Sequence, residues 1–332
     1  MSTLKVLPIN AKDALSPQEI IDLFKISFKH ELYESDLEDL KETIQAIKGY
    51  LYEREYLSAF DSEIKRIAYC CRWSPSRGIS YSSLFSFIKP ICNILKGFGM
   101  KENGESLEEG IECLDINDNN KNTNNILCIG GGAGGELVAI ASIFTLSRDF
   151  NSKYYKTKDN KSTSSSINLK LVDIADWSSV VNTLTKEINK NWLRDFSSDF
   201  KVEFENRDIL NISELGLNKM DLITLLFTTN ELFNEDKAGS IRFFQKLNAE
   251  CHKNAYLLIA ESAGSYSHIT VGSKKFPLQF LIDTLLLGKR KTDGDWELVD
   301  ENDSIWYRCN EELDYPLKIE NMRFFYRLYK KK

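Results

Sequence analysis

Apolar residues recur at helical spacing through the first part of this chain. Five of them return at alternating intervals of three and four positions, bordered by Glu and Lys: Leu37, Leu40, Ile44, Ile47 and Leu51. That spacing puts them on one face of a helix. The stretch Ser16-Pro17-Gln18-Glu19 predicts an earlier helix start, because Ser caps the first turn, Pro fits it and Glu follows three positions on. The first part of the chain is therefore predicted to be helical.

Beyond residue 125 short apolar runs alternate with helical stretches. The runs predicted to be strands are Ile126–Ile129, Leu169–Asp173, Phe200–Phe204, Met220–Phe227 and Ala255–Ala260. The apolar run from Met220 is expected of a central parallel strand that is covered on both faces. Three later runs, rich in aromatic residues, predict antiparallel strands that close the sheet: Trp296–Val299, Ser304–Cys309 and Met322–Tyr329. This order predicts an α/β fold with a mostly parallel sheet.

Two polar segments divide this pattern. Glu102–Asn125 is rich in Asn and Glu, and it marks a boundary between an N-terminal helical region, residues 1–120, and a second domain, residues 121–332. Asn151–Ser166 is rich in Ser and Lys and predicts a disordered surface insertion. No chemical motif is found in residues 1–68. The N-terminal region is expected to pack against the second domain and to contribute to substrate binding.

The composition is that of an ordinary globular protein. Of 332 residues 42% are apolar and 28% charged, and the net charge of −6 argues against extensive coating of nucleic acid while allowing one local basic face. Seven scattered cysteines without a C-x-x-C pair predict reduced thiols in an intracellular protein. The three histidines lie far apart, so no metal site is expected. No apolar segment predicts a membrane span or a signal peptide.

The most informative stretch is ILCIGGGAGGE, residues 126–136. An apolar strand runs into a loop with five glycines and then into a helix, a unit that places backbone N–H groups and a helix N-terminus against a ligand. Gly130, Gly132 and Gly135 fit G-x-G-x-x-G, the dinucleotide-binding fingerprint. Gly130, Gly132 and Gly134 fit G-x-G-x-G, the corresponding loop of methyltransferases that depend on S-adenosylmethionine (SAM). A flexible linker is the remaining interpretation, and the framing strand and helix argue against it.

An acidic residue ends the second predicted strand. Gly134 and Asp173 are 39 positions apart, and removing the 16 residues of the insertion leaves 23. Nucleotide-binding sheets place a ribose-binding acid about 20 residues beyond the glycine loop. Asp173 is therefore predicted to bind the ribose hydroxyls, with a turn-forming Asp as the alternative. Trp177 follows it and is predicted either to cover an adenine face or to lie in the core.

Two further strand ends carry polar residues. Asp208 comes after the third strand, where an acid would hold an adenine amino group. The central strand delivers TTNELF, residues 228–233, at its carboxyl end, where open α/β sheets bind their ligands. No His lies in a candidate motif, so Glu231 is the predicted general base, and Asn230 is its polar neighbour. The alternative is that Glu231 is a solvated carboxylate at a helix start.

The stretch RWSPSR, residues 72–77, is predicted to be a junction between two helices. Arg72 and Arg77 flank an aromatic residue and a Ser-Pro turn, an arrangement that suits phosphate contacts and base stacking. Trp73 and Tyr81 are the candidate stacking residues. The alternative places Trp73 in the core and pairs the arginines with acidic residues of the N-terminal helices.

Four stretches together resemble a known family. RWSPSR, LCIGGGAGGE (Leu127–Glu136), LVDIADW (Leu171–Trp177) and LLFTTNELF (Leu225–Phe233) occur in this order, as in the fungal SAM-dependent methyltransferases that modify nitrogen 3 of a uridine in 25S ribosomal RNA. The resemblance covers most of the chain from about residue 55 onward. It implies a seven-stranded Rossmann-like sheet with the last strand antiparallel. It also implies SAM as methyl donor, and rRNA or a pre-60S particle as partner.

The resemblance also implies a set of site residues. Those expected to contact the cofactor are Gly130, Gly131, Gly132, Ala133, Gly134, Asp173, Ile174, Trp177, Asp208, Ile209 and Thr228. Those expected to contact RNA are Arg72, Trp73, Ser76, Arg77 and Tyr81, and those expected to act in the reaction are Asn230 and Glu231. One position departs from the usual pattern: Cys128 stands where methyltransferases commonly carry an acid that positions the methionine amino group. Backbone groups, Asn230 or Glu231 are the alternatives for that contact.

Other functions fit parts of the sequence. The glycine loop with Asp173 also suits a NAD(P)-dependent oxidoreductase. Cys128 suits a catalytically inactive methyltransferase fold that acts as a ribosome-assembly factor, and the acidic net charge suits methylation of a protein or a small molecule. The sequence is compatible with action in the nucleus, the nucleolus or the cytoplasm.

Overall fold

Helices form the first part of the chain, as its apolar spacing predicts. The structure, a computed structural model, describes residues 5–97, 123–148, 165–212, 214–264, 268–271 and 274–332. The N-terminal elements are α1 (Pro17–Ser27), a π-helical turn (His30–Glu34), α2 (Leu37–Tyr52), α3 (Tyr56–Ala59), α4 (Glu63–Phe87) and α5 (Lys89–Leu95). Most of the boundary segment and nearly all of the insertion predicted from the sequence lie outside the described residues. The last residue assigned to that insertion, Ser166, is the first of a strand.

Strands and helices alternate in the rest of the chain. Up to the central strand they are β1 (Thr123–Ile129), α6 (Gly135–Arg148), β2 (Ser166–Asp173), α7 (Ser178–Ile188), β3 (Phe200–Asn206) and β4 (Leu222–Leu226). They continue as α8 (Thr229–Glu235), α9 (Lys237–Glu250), β5 (Tyr256–Ser262), β6 (His268–Val271), β7 (Lys274–Pro277), α10 (Leu278–Leu287), β8 (Trp296–Tyr307) and β9 (Met322–Lys331). Short π- and 3-10-helical turns precede β3 and β4.

The main sheet has seven strands in the order β3-β2-β1-β4-β5-β9-β8. The first five strands in this order are parallel, whereas β9 is antiparallel to both of its neighbours, β5 and β8. The predicted mostly parallel sheet with an antiparallel last strand is therefore confirmed. The carboxyl ends of β1, β2, β3 and β4 meet at one edge, which brings the glycine loop, Asp173, Asp208 and Glu231 to the same side of the molecule.

The prediction of three short C-terminal strands is wrong in one respect. Trp296–Val299 and most of Ser304–Cys309 belong to a single strand, β8, which ends at Tyr307 and pairs with β9. Its register shifts between Leu298 and Asp300 and again between Asn302 and Ile305. Two bulges allow the strand to bend without ending, and at such irregularities the alternation of apolar and polar residues breaks. The break in the pattern looks like a turn in the sequence.

The helix start at Ser16 is confirmed in atomic detail. The Ser16 hydroxyl accepts a hydrogen bond from the Glu19 backbone N–H at 3.3 Å, and the Ser16 N–H donates to the Glu19 carboxylate at 2.9 Å. This reciprocal pair satisfies two backbone donors that a helix N-terminus otherwise leaves open. Of the apolar stripe in α2, Leu40, Ile44 and Ile47 are buried.

The predicted helix junction at RWSPSR is wrong, because α4 continues through Pro75. Proline has no N–H to donate to the carbonyl four residues earlier, here that of Cys71. The Tyr315 hydroxyl donates to this carbonyl instead, at 2.7 Å. The interruption is thereby satisfied by a segment far away in sequence, and the helix does not have to end.

Both faces of the sheet are covered, and each face has its own hydrophobic cluster. One cluster unites the N-terminal helices with α6, α7 and one face of the strands, and the other unites α9 and α10 with the opposite face. The N-terminal helices thus share a core with the sheet, while the division at residue 120 remains a prediction. Among the helices in the described ranges, none is long and apolar enough to cross a membrane.

Candidate cofactor and active site

The glycine loop follows β1 and turns sharply into α6. Gly130 and Gly134 have φ angles of 74° and 85°, a region that side chains with a Cβ seldom adopt. Space is a second constraint, since a Cβ built on Gly130 would lie 2.2 Å from Thr228 Oγ1, and one on Gly132 would lie 2.1 Å from Trp177 Cδ1. The close packing of β4 and the β2–α7 turn against this loop therefore demands glycine.

Asp173 lies at the end of β2, directly beside the loop. Its carboxylate accepts hydrogen bonds from the backbone N–H groups of Gly132 and Ala175, both at 3.1 Å. Burial raises the pKa of Asp173 to about 6, and these two hydrogen bonds oppose the shift. The carboxylate also lines a cavity at the carboxyl edge of the sheet, which is the position expected for a ribose ligand.

That cavity has a volume of about 330 Å³ and receives residues from both parts of the chain. From the second part it is lined by Ile129, Gly130, Ala133, Val172, Asp173, Ile174, Trp177, Arg207, Asp208, Ile209, Leu210, Leu226, Phe227, Thr228, Glu231, Leu232 and Glu235. From the N-terminal part it is lined by Arg54, Glu55, Tyr56, Leu57, Ser58, Phe60, Tyr69 and Arg77. Eight of the eleven residues expected to bind the cofactor are therefore among the lining residues, and Gly131, Gly132 and Gly134 are not.

One end of the cavity lies beyond β2 and β3. Asp208 begins a turn there, since its carboxylate accepts the Leu210 N–H at 2.9 Å, and Ile174 is half exposed. Trp177 is only 2% exposed, and its ring packs against Phe60 with a centroid distance of 5.1 Å. Trp177 thus both lines the cavity and belongs to the core.

The other end lies beyond β1 and β4. Thr228 donates a hydrogen bond from its hydroxyl to the Ile129 carbonyl at 3.1 Å and so ties the two strand ends together. Glu231, in the first turn of α8, lines the cavity. Burial, with a smaller contribution from the nearby Glu261 carboxyl, raises the pKa of Glu231 to about 8.

Asn230 is held in place by its backbone and leaves a side-chain acceptor open. Its N–H donates to the Glu261 carboxylate at 3.1 Å, and the same carboxylate accepts the Ser262 N–H at 3.0 Å. Asn230 Oδ1 is buried and accepts no hydrogen bond within the described part of the chain. A buried acceptor without a donor is costly. Asn230 is not among the residues that line the cavity, although its neighbour Glu231 is.

Glu136 is a buried carboxyl that the sequence reasoning missed. It stands beneath the glycine loop, is 3% exposed and accepts a hydrogen bond from the Thr224 hydroxyl. Burial raises its pKa to about 7. A Cβ built on Gly131 would lie 2.9 Å from Glu136 Oε2 and 3.0 Å from Cys128 Cβ. Cys128 stands where the usual acid would be, and Glu136 of α6 places a carboxyl close to the same position. In the sequence, only its place directly after Gly134-Gly135 marks Glu136 as a residue of the site.

The RWSPSR stretch is split between two environments. Arg72 donates to the Lys318 carbonyl at 2.9 Å and pairs with Glu320 at 2.5 Å, and Ser76 Oγ accepts the Glu320 N–H at 2.9 Å. These two residues contact the C-terminal segment and not the cavity. Arg77, on another side of the same helix, lines the cavity.

The two predicted stacking residues pack against other aromatic rings of the protein. Trp73 is half-buried, and its ring lies 4.7 Å from that of Tyr69. Tyr81 is 2% exposed and stacks on Phe227 with a centroid distance of 6.3 Å. Their contact with RNA stays a prediction.

The N-terminal wall of the cavity, residues 54–60, was also missed, because no motif marks it. It follows the end of α2, where Arg54 has a φ of 61° and donates to Asn234 Oδ1 of α8 at 2.9 Å.

In the described ranges no group of three or more His, Cys, Asp or Glu side chains is arranged to hold a metal ion.

Strand order and site together define a class of protein. The last strand of the chain, β9, lies antiparallel between β5 and β8, which departs from the 3-2-1-4-5-6 order of dinucleotide-binding sheets. The acid at the end of β2, Asp173, faces the glycine loop. This is the sheet of Rossmann-like methyltransferases. The chain belongs to the family described as "Putative SAM-dependent methyltransferase", whose model matches residues 24–330.

A protein of Saccharomyces cerevisiae, 25S rRNA (uridine(2843)-N(3))-methyltransferase, is 52% identical over 342 aligned positions, which cover 98% of this chain and 88% of that protein. Solved structures are similar at lower identity. The N-methyltransferase NodS of Bradyrhizobium japonicum, in complex with S-adenosyl-L-homocysteine, is 14% identical over 63% of this chain and 78% of its own, with a TM-score of 0.34. A SAM-dependent methyltransferase of Methanosarcina mazei is 14% identical over 63% and 92%, with a TM-score of 0.37.

The chain is thus a SAM-dependent methyltransferase, and the cofactor is SAM rather than a nicotinamide dinucleotide. The residues at the sheet edge fit this cofactor on independent grounds. The loop has no room for a Cβ at Gly130 or Gly132, and an acid stands at the ribose position. The alternative of an oxidoreductase is therefore set aside.

Proposed function

We propose that this chain methylates nitrogen 3 of a uridine in large-subunit ribosomal RNA, as free RNA or within a pre-60S particle. The observation that carries the proposal is the 52% identity with the yeast enzyme over 98% of the chain. An rRNA substrate implies an intracellular site of action, and the nucleus, the nucleolus and the cytoplasm all contain rRNA.

The proposed chemistry assigns separate tasks to the two ends of the cavity. SAM supplies a methyl group bound to a positively charged sulfur. At the β2–β3 end Asp173 would bind the ribose hydroxyls, and Asp208 with Ile209 would contact the adenine. At the β1–β4 end Thr228, Asn230 and Glu231 would face the reacting groups. Most of the rate enhancement of such a displacement comes from holding the reactants in line.

Uridine nitrogen 3 carries a proton that must leave before it can attack a methyl group. Glu231 is the proposed base, because it lines the cavity and its raised pKa of about 8 makes it a stronger proton acceptor than an ordinary carboxylate. Asn230 would orient the uracil or the cofactor ammonium. The target uridine has to leave any stacked or paired arrangement to reach this position.

The test is a complementation experiment in yeast. A strain that lacks the 52% identical enzyme would be transformed with this chain, and its 25S rRNA would be digested and quantified for 3-methyluridine by mass spectrometry. The wild-type chain is expected to restore the lost modification, and Glu231→Gln is not. If the expressed wild-type chain binds SAM but restores no 3-methyluridine, the proposal is wrong. Restored ribosome assembly without the modification would favour the assembly-factor alternative.

A further inference from the structure

Arg77 brings a positive charge into the cavity from outside the sheet. It lies on α4 and packs against the start of α6, since a Cβ built on Gly135 would be 3.1 Å from Arg77 Cβ. Its guanidinium lies 5.3 Å from the Tyr69 ring centroid and 5.7 Å from that of Phe227. Arg77 therefore stands at the β1–β4 end of the cavity.

The direction of the cofactor follows from the strand ends. A nucleoside with its ribose at Asp173 and its adenine at Asp208 occupies the β2–β3 end of the cavity. Its amino-acid part must then extend to the opposite end, past Gly130 and Thr228. That part of SAM carries a carboxylate as well as an ammonium group, so the β1–β4 end has to accept an anion.

This end of the cavity is otherwise unfavourable for an anion. Glu231 lines it, and the Glu261 carboxylate lies directly behind Asn230. Burial raises the pKa of both carboxyls and favours their neutral forms, so neither side chain supplies the positive charge that a buried ligand carboxylate needs. A ligand carboxylate is therefore accommodated there only if a cation faces it.

Arg77 is the cation in the right place. Two other arginines line the cavity, but Arg54 donates to Asn234 on α8, and Arg207 follows β3 at the adenine end. Arg72, on the same helix as Arg77, already pairs with Glu320. Arg77 forms no such ion pair with a carboxylate among the described residues. Burial lowers its pKa, but the interactions with Tyr69, Tyr81 and Glu231 raise it by more, so the guanidinium keeps its charge.

We infer that Arg77 binds the α-carboxylate of the SAM methionine moiety, and not the RNA phosphates that the sequence predicts for it. A guanidinium suits this role, because its planar pair of N–H donors matches the two oxygens of a carboxylate. The inference rests on SAM binding in this cavity, which is part of the proposed function, and is independent of the RNA substrate.

The experiment compares SAM with decarboxylated SAM, which keeps the sulfonium and the amine but lacks the carboxylate. Calorimetric titration of the full chain is expected to show SAM binding about 10- to 100-fold more tightly, as for a charge-assisted pair. Arg77→Met is expected to lose this preference by weakening SAM alone, with decarboxylated SAM unchanged within about 2-fold. Arg207→Met, which removes a cation at the other end of the same cavity, is the matched control and is expected to keep the preference.

Two outcomes overturn the inference. If the wild-type chain binds SAM and decarboxylated SAM equally well, no cation of the protein binds the carboxylate. That result contradicts the inference without any variant. If Arg77→Met weakens both ligands in equal measure, Arg77 supports the fold or the whole cavity and not the carboxylate. Neither result depends on methyl transfer, so a chain that fails to methylate rRNA still tests the role of Arg77.

Discussion

Glu231 is the residue whose chemistry depends most on its surroundings. Its pKa rises to about 8 because the side chain is buried and because Glu261 stands nearby, while the Arg77 guanidinium opposes the shift. A carboxyl with this pKa is mostly protonated at neutral pH and becomes a base only as the pH rises. If Glu231 is the proton acceptor, methyl transfer is therefore expected to become faster as the pH rises.

The pH dependence of kcat/KM for rRNA methylation tests this role. The wild-type rate is expected to rise with pH, to reach about half of its maximum near pH 8 and to level off about one unit higher, where most of Glu231 is in its base form. Glu231→Gln is expected to lower kcat/KM by about 10²- to 10⁴-fold and to remove the rising limb.

Glu235→Gln is the control for this experiment, since Glu235 lies on the same short helix at the cavity rim and is exposed. It is expected to keep the pH profile. Full activity of Glu231→Gln with SAM binding intact would show that another group takes the proton.

At the scale of elements, α4 is the helix whose course the sequence misrepresents. Its proline lies at the thirteenth of 25 positions, where a break is the usual result. The carbonyl of Cys71 loses its helical donor at that point and gains the Tyr315 hydroxyl. The RWSPSR stretch is then explained in part as the docking surface for residues 315–320, and Arg77 alone reaches the cavity.

Tyr315→Phe is expected to destabilise the protein by about 1–3 kcal/mol, since it leaves the Cys71 carbonyl buried without a donor. Pro75→Ala supplies the missing backbone N–H. In the Pro75→Ala background, Tyr315→Phe is expected to lower the free energy of unfolding much less. Urea unfolding of the wild type, the two single variants and the double variant measures the difference.

Tyr52→Phe is the control for the hydroxyl, because Tyr52 is 80% exposed. It is expected to leave the free energy of unfolding unchanged within about 0.5 kcal/mol. An equal loss on Tyr315→Phe in both backgrounds would mean that the hydroxyl does not compensate for Pro75.

At the scale of the whole molecule, the N-terminal helices and the sheet form one structure around the cavity. They share a hydrophobic cluster, and residues 54–60 with Tyr69 and Arg77 build one wall of the site. A sheet without these helices would expose one apolar face and lose the cation at the β1–β4 end. The two sides of the predicted boundary at residue 120 are therefore expected to depend on each other for folding.

A chain of residues 121–332 alone is expected to lack a cooperative unfolding transition and to bind SAM at least about 10-fold more weakly than the full chain. Calorimetric melting and SAM titration of both chains measure the two properties. Adding the separately expressed N-terminal region in excess is the matching control. A truncated chain that melts cooperatively and binds SAM with the affinity of the full chain would contradict this account.

The sequence by itself determined the elements and the general position of the site. Hydrophobic period distinguishes helix from strand, glycine spacing marks a loop that approaches a ligand, and an acid after the second strand of a parallel sheet meets that loop, as Asp173 does. These are local properties, or they follow from the rule that parallel strands end at one edge.

Only the tertiary structure decided which distant residues complete the site. The Glu136 carboxyl lies beside Cys128 under the glycine loop, Arg77 enters the cavity while Arg72 turns away, and Tyr315 donates to the carbonyl that Pro75 leaves open in α4. The physical reason is the same in each case. A buried charge or carbonyl must find a partner in space, and the partner's position along the chain leaves no pattern in the sequence around it.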